Sequence, residues 1–275
     1  MDGVLIVNKP LGKTSFDIVR DVRKEYNTKK VGHIGTLDPM ASGVLPILIG
    51  KATKLSDYLM SHDKEYIATL KLGIQTNTGD SEGKTIKQMP VNSISKEQIQ
   101  NVLLSFLGES EQIPPMYSAI KVNGNKLYEL AREGKTVERK PRKIFIDEIE
   151  LLGIDFQGNE ISFRVVCSKG TYIRTLCEDI ASDLGTCGYM KSLKRTRVGN
   201  FKIENAGKFI DLPEVLTDVP SITVVNYTML ENGMHQPVGS NISTNYTGLV
   251  NLYYENKFVG IGSVKNKYYK RFILI

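Results

Sequence analysis

Residues 31–46 run Val-Gly-His-Ile-Gly-Thr-Leu-Asp-Pro-Met-Ala-Ser-Gly-Val-Leu-Pro and set one carboxylate, Asp38, among three glycines and two prolines. Pro39 disfavours the α region for Asp38 and holds it extended or in a turn. Gly32, Gly35 and Gly43 permit backbone angles that other residues resist, and let a large ligand approach the main chain. The apolar run at 44–49 follows at once and reads as a buried strand. The stretch therefore reads as mobile backbone on a fixed base, a way to present one side chain to a bulky substrate. Asp-Pro is also a common turn dipeptide, so the residues alone leave Asp38 open between turn and catalyst.

The chain has 275 residues, 41% apolar and 24% charged, enough for one large domain or two with a substantial core. No apolar run approaches a membrane span. The start, Met1-Asp2-Gly3-Val4, lacks the features of a signal peptide, so a cytoplasmic location is expected and the sequons at Asn226, Asn241 and Asn245 are silent. Cys167, Cys177 and Cys187 form no C-x-x-C pair and are expected as free thiols. His33, His62 and His235 are too scattered for a metal motif, and no metal is expected. Gly12-Lys13-Thr14 and Gly83-Lys84-Thr85 lack the upstream glycine of a phosphate loop, with Val7 and Thr78 in its place. A net charge of +6 fits a polyanionic partner, and the clustering says more than the total. Lys135, Arg139, Lys140, Arg142 and Lys143 stand against Glu138 alone, and Lys191, Lys194, Arg195, Arg197 and Lys202 have no acid among them. Such clusters can neutralise phosphates.

Along the chain, residues 3–8 predict a strand, and Thr14 or Ser15 caps a helix with Ile18, Val19, Val22 and Tyr26 on its apolar face. A helix is predicted over 51–60, an alternating strand over 64–72, a polar loop over 73–83 and a helix from Ser95 to Leu107. Residues 127–134 read as a short helix stopped by Gly134, 144–152 and 161–167 as strands, and the chain after 168–172 as a helix ending at Gly185. Residues 190–198 are basic and partly apolar. Beyond residue 220 short β-rich runs and turn signals predict a second, small domain.

The string Gly32-His-x-Gly-x-Leu-Asp-Pro-x-Ala-x-Gly-x-Leu-Pro46 resembles the active-site motif of the TruB family of pseudouridine synthases, which isomerise a uridine in the T-loop of tRNA. Lys9-Pro10, Lys64-Glu-Tyr66, residues 113–121 and Gly170-Thr-Tyr-Ile-Arg174 resemble further segments of that family. The resemblance implies an α+β fold: a large mixed, mainly antiparallel sheet flanked by helices over 1–220. A small β-rich domain like the PUA RNA-binding domain is expected over 221–275. It implies a stand-alone tRNA enzyme, expected as a monomer without an obligatory protein partner. Pseudouridine formation involves neither redox chemistry nor net hydrolysis, so no cofactor is expected.

The resemblance assigns Asp38 as the catalytic carboxylate, a group ionised at neutral pH that needs no activating base. Arg174 matches the arginine that pairs with it, expected as a bidentate fork. Tyr66 matches the tyrosine that stacks on the extruded base. His33 matches the residue that fills the vacated space, Tyr172 and Leu193 match pocket positions, and Lys9 belongs to the motif supporting the site. Lys194 and Arg195 are expected to track phosphates, and the target nucleotide is expected to be flipped out. A different class, an RNA-binding or RNA-folding protein without catalysis, would use the same basic surface but would not need Asp38, Tyr66 and Arg174 together.

Overall fold

The computed structural model describes residues 1–122, 124–239, 242–243 and 245–275. The first elements are β1 (Gly3–Lys9), α1 (Ser15–Glu25), β2 (Val31–His33), β3 (Ala41–Ile49) and β4 (Lys64–Leu72). Thr14 caps α1, accepting a hydrogen bond from the Asp17 amide while the Asp17 carboxylate accepts from the Thr14 amide. β4 alternates buried and half-buried residues along its length, the period-2 pattern of a strand with one face on the core.

The main sheet runs, in spatial order, Phe209–Asp211, β1, β3, Gly188–Val198, β4, Glu160–Cys167, Arg142–Asp155 and Gly108–Gln112; β2 adds to β3, and Phe201–Lys202 to the central strand Gly188–Val198. Among the described residues every pairing in this sheet is antiparallel except one. The exception joins β3 to the central strand over Ala41–Leu193, Ser42–Lys194 and Gly43–Arg195. This short parallel seam links the two halves of the sheet. At its end Lys9, Gly43, Arg195, Tyr66 and Val165 follow one another across five strands in a single row.

Helices cover the two halves separately. Ile18, Val19 and Val22 of α1 pack against Leu45, Ile47 and Ile49 of β3. The helix Ile173–Asp183 and the helix Lys96–Ser105 pack, through Leu176, Ile180, Ile99 and Leu103, on Ala68, Leu70 and Phe163. The start of α1 and the start of the 173–183 helix both touch the Asp38 loop, which bridges them across the seam. From Ser221 on, a separate five-stranded sheet forms around Ile222, Val250, Leu252, Val264 and Tyr269. Ile261 and Ile273 of that sheet join the core built by Val4, Ile6, Leu48 and Leu55.

Several expectations change. The helix expected over 51–60 is a 3₁₀ turn, Gly50–Leu55, followed by the short helix Ser56–Met60. The polar loop at 73–83 contains a strand, Ile74–Thr76, that forms a hairpin with Thr85–Gln88. The basic stretch at 190–198 is the central strand itself, and Arg195 is 1% exposed. The phosphate-tracking role expected of Arg195 is thereby excluded, because a buried guanidinium cannot reach a backbone outside. Gly35 and Gly43 do adopt positive φ, +75° and +111°, whereas Gly32 has no such angle and lies in β2. Asn226 caps the Tyr227–Glu231 helix, accepting from the Met229 amide at 3.0 Å. Asn241 lies outside the described residues. No helix among the described residues is long and apolar enough to cross a membrane.

Gly43 is the tightest point of the seam. A Cβ there would stand 2.1 Å from the Arg195 carbonyl oxygen and 2.7 Å from its amide nitrogen, both backbone atoms that cannot swing away. Gly43→Ala combines this clash with a left-handed φ and should destabilise the fold by about 2–4 kcal/mol in urea or thermal unfolding. Wild-type stability in that variant would show that the seam does not close as described.

Candidate active site

The Asp38 loop is pinned at almost every residue. The Ile34 amide donates to the Pro46 carbonyl at 3.0 Å, and the Ala41 amide to the Asp38 carbonyl at 3.0 Å. Ser15 Oγ accepts from the Leu37 amide at 2.9 Å and donates to the Leu37 carbonyl at 3.2 Å. The Pro39 carbonyl accepts from the Gly12 amide at 2.8 Å and from Lys9 Nζ at 3.4 Å. Arg195 Nη2 donates to the Gly35 carbonyl at 3.0 Å. The expected mobile backbone is instead a loop whose carbonyls and amides are tied to β1, α1 and the central strand. Such satisfaction fixes where the Asp38 carboxylate points.

Asp38 meets Arg174 through one oxygen: Oδ2 lies 3.1 Å from Nε. The fork expected here does not form, because the other nitrogens are committed elsewhere. Nη1 donates to the Thr78 carbonyl at 3.1 Å and Nη2 to the Tyr117 carbonyl at 2.7 Å. Nη1 also lies 3.8 Å from Asp80 Oδ2. Arg174 therefore stands fixed from three sides and offers Asp38 a single edge. The guanidinium is 7% exposed and the Asp38 carboxylate 35%, so the acid faces the opening while its partner is buried. Burial raises the Asp38 pKa above the ordinary carboxylate range; the Arg174 cation opposes the rise, Asp80 adds to it and Lys9 opposes it.

Beneath the loop, the cross-sheet row forms the floor. Lys9 is wholly buried, and its Nζ donates to the carbonyls of Pro10 at 3.0 Å and Lys13 at 2.7 Å besides Pro39. The ammonium acts as a strut under the loop, with its three hydrogens committed to carbonyls rather than offered to a ligand. Burial lowers its pKa, Asp38 raises it and Arg195 lowers it. Tyr66 is almost buried among the core residues and is the register partner of Arg195 on the neighbouring strand. Burial raises the phenol pKa, and the Arg195 cation counteracts this. Lys64, also buried, is lowered to about 8 by burial and by Arg195, and donates to the Met60 carbonyl at 2.7 Å and to the His62 carbonyl.

The remaining candidates lie around this centre. Leu193 sits in the seam opposite Ala41 and lines a cleft with Leu11, Met40, Ser42 and Lys194. Tyr172 immediately precedes the Arg174 helix, and Gln112 clamps its backbone from both sides, accepting from its amide at 2.8 Å and donating to its carbonyl at 3.1 Å. His33 ends β2; burial and the Arg195 cation lower its pKa, which keeps the imidazole neutral near pH 7. Asp80 and Arg195 were not singled out for the site from the sequence. Asp80 sits in a polar turn with no distinguishing signal. Arg195 could have been found by period-2 alternation, which places it on the same face as Leu193. Among the described residues no cluster of His, Cys, Asp or Glu could hold a metal.

The family profile described as TruB family pseudouridylate synthase (N terminal domain) matches residues 23–173, and that described as tRNA pseudouridylate synthase B C-terminal domain matches 174–220. A protein of Clostridium kluyveri named tRNA pseudouridine synthase B is 46% identical over 98% of both chains. A namesake in Francisella tularensis subsp. novicida is 41% identical over 100% of this chain and 97% of its own. Among solved structures, a chain of a Cbf5-Nop10-Gar1 complex is similar with a TM-score of 0.71 and 27% identity, covering 95% of this chain and 78% of that one. The chain belongs to the TruB family of pseudouridylate synthases, and is an isomerase.

Proposed function

We propose that this enzyme converts uridine to pseudouridine in the T-loop of tRNA, at position 55, with Asp38 as the catalytic carboxylate. The observation that carries the reading is the pairing of a loop-pinned, partly exposed Asp38 with the buried Arg174. The names of the relatives support tRNA as the substrate. The reaction cleaves the N1–C1′ bond of uridine, turns the base and joins C5 to C1′. A carboxylate can attack or stabilise the electron-poor centre formed on the way, and the Arg174 guanidinium beside Asp38 favours its ionised form against the burial that opposes it.

Tyr66 offers a ring face to the extruded uracil and a hydroxyl near C5, while Leu193 and Tyr172 border the pocket. His33, a neutral, half-buried ring at the end of β2, suits stacking on RNA in the space the nucleotide vacates. Lys9 serves by holding the Asp38 loop. Residues 221–275 are proposed as a PUA-like RNA-binding domain and 1–220 as the catalytic domain, acting together as a monomer in the cytoplasm. RNA folding on the same surface would not require the Asp38–Arg174 pair.

Asp38→Asn keeps the shape and the hydrogen bond to Arg174 but removes the charge. Pseudouridine formation should fall by at least about 10³-fold while tRNA affinity stays within about threefold. Near-normal turnover in that variant would refute the catalytic assignment. Lys194 is exposed on the cleft border and free to meet RNA, unlike its buried neighbour Arg195. Lys194→Ala should reduce the slope of log affinity against log salt by about 0.7–0.9. An unchanged slope would mean that Lys194 touches no phosphate.

A further inference from the structure

Arg195 is a buried cation that the reaction as described does not use. It is 1% exposed, and among the described residues no carboxylate lies within ion-pair distance of it. It lies close enough to two other buried cations, Lys9 and Lys64, to lower the pKa of each. Burying an uncompensated charge is costly, and packing alone would be served better by an apolar side chain of similar volume. The site must therefore need something that only this group supplies.

The geometry narrows the choice. Nε donates to the Val44 carbonyl at 2.8 Å and Nη2 to the Gly35 carbonyl at 3.0 Å, which fixes the plane of the guanidinium against β3 and the Asp38 loop. Arg195 and Tyr66 are register partners on adjacent antiparallel strands, so their side chains leave the sheet on the same side. Nε and Nη2 are thus held by carbonyls, and among the described residues Nη1 has no such partner. A Cβ on Gly35 would lie 3.3 Å from Nη1, so the loop closes over the guanidinium where glycine leaves room.

We propose that Arg195 is a positioning residue that donates to Tyr66 Oη and to the Gly35 carbonyl at once, locking the tyrosine and the Asp38 loop in one geometry. An oxygen that accepts from Arg195 must turn its own proton away from the guanidinium, toward the opening of the cleft. Tyr66 is thus set with its O–H directed to the uracil face and its ring plane fixed for stacking. The claim rests on the reading of Tyr66 as the residue that meets the base, and the two can fail separately.

The test compares wild type, Arg195→Lys and Arg195→Met by single-turnover pseudouridine formation and tRNA affinity. In parallel, ¹³Cζ-tyrosine NMR follows the Tyr66 resonance, assigned by its loss in Tyr66→Phe. Loss of a charge-assisted bond predicts about a 10- to 100-fold slower rate in Arg195→Met, with partial recovery in Arg195→Lys. Affinity should stay within about threefold, and the Tyr66 resonance should move in both variants. A wild-type rate, a loss confined to affinity, or an unmoved resonance would overturn the proposal. If Arg195→Met does not fold, Arg195→Lys decides alone: a wild-type rate or an unmoved resonance refutes the claim. Full activity in Tyr66→Phe would instead remove the underlying reading of Tyr66, while the resonance would still report on the Arg195 contact.

Discussion

The arrangement of the site depends on three residue pairs in which β3 and the central strand run parallel. Everything on one side of that seam, β1, β2 and α1, carries the Asp38 loop; everything on the other, β4 and the 173–183 helix, carries Tyr66 and Arg174. The seam is too short to fix that relation through backbone hydrogen bonds alone. Gly43 lets the two backbones approach, and the Arg195 side chain then crosses back to the Val44 and Gly35 carbonyls. The site is thus assembled from two half-sheets, and the groups that face each other are separated by long stretches of sequence.

Charge is distributed with the same economy. Asp38, the acid facing the opening, touches a guanidinium whose other nitrogens are bound by the Thr78 and Tyr117 carbonyls and which also lies near Asp80. Lys9 and Lys64, both buried, are bound to backbone carbonyls rather than to acids. The floor of the site therefore carries positive charge that is hydrogen-bonded but largely unneutralised. A field of that sign favours the ionised Asp38 and suits a substrate that arrives as a polyanion. The reaction itself needs no change in net charge, so a preorganised field costs no rearrangement when bonds are exchanged.

Much of this was legible in the residues. The period-2 alternation of 64–72 gave β4 with its bounds, the Thr14-Ser15 pair and Ser95 marked helix starts, and Gly134 and Gly185 marked stops. The motif around Asp38 and the Gly-Thr-Tyr-Ile-Arg segment supplied the two halves of the ion pair through family resemblance, and the fold brings them to 3.1 Å. The central strand was hidden because five basic side chains between 191 and 202 read as a phosphate-neutralising cluster. Tertiary context resolves them differently: Lys194 faces out, Arg195 is buried, and Arg197 pairs with Asp63 at 2.7 Å. Glycine and proline around Asp38 suggested mobility, yet composition cannot reveal that Ser15, Lys9 and Arg195 satisfy that loop from distant positions. Asp80 was invisible for the same reason, since its proximity to Arg174 is created by the fold alone.

The account centres on one carboxylate acting on one uridine, and product position tests it most directly. The purified protein would be incubated with an unmodified tRNA transcript, without added cofactor, and pseudouridine mapped nucleotide by nucleotide. The prediction is a single new pseudouridine at position 55 in the T-loop. Pseudouridine at other positions alone, or none at all with a folded protein that still binds the transcript, would contradict it.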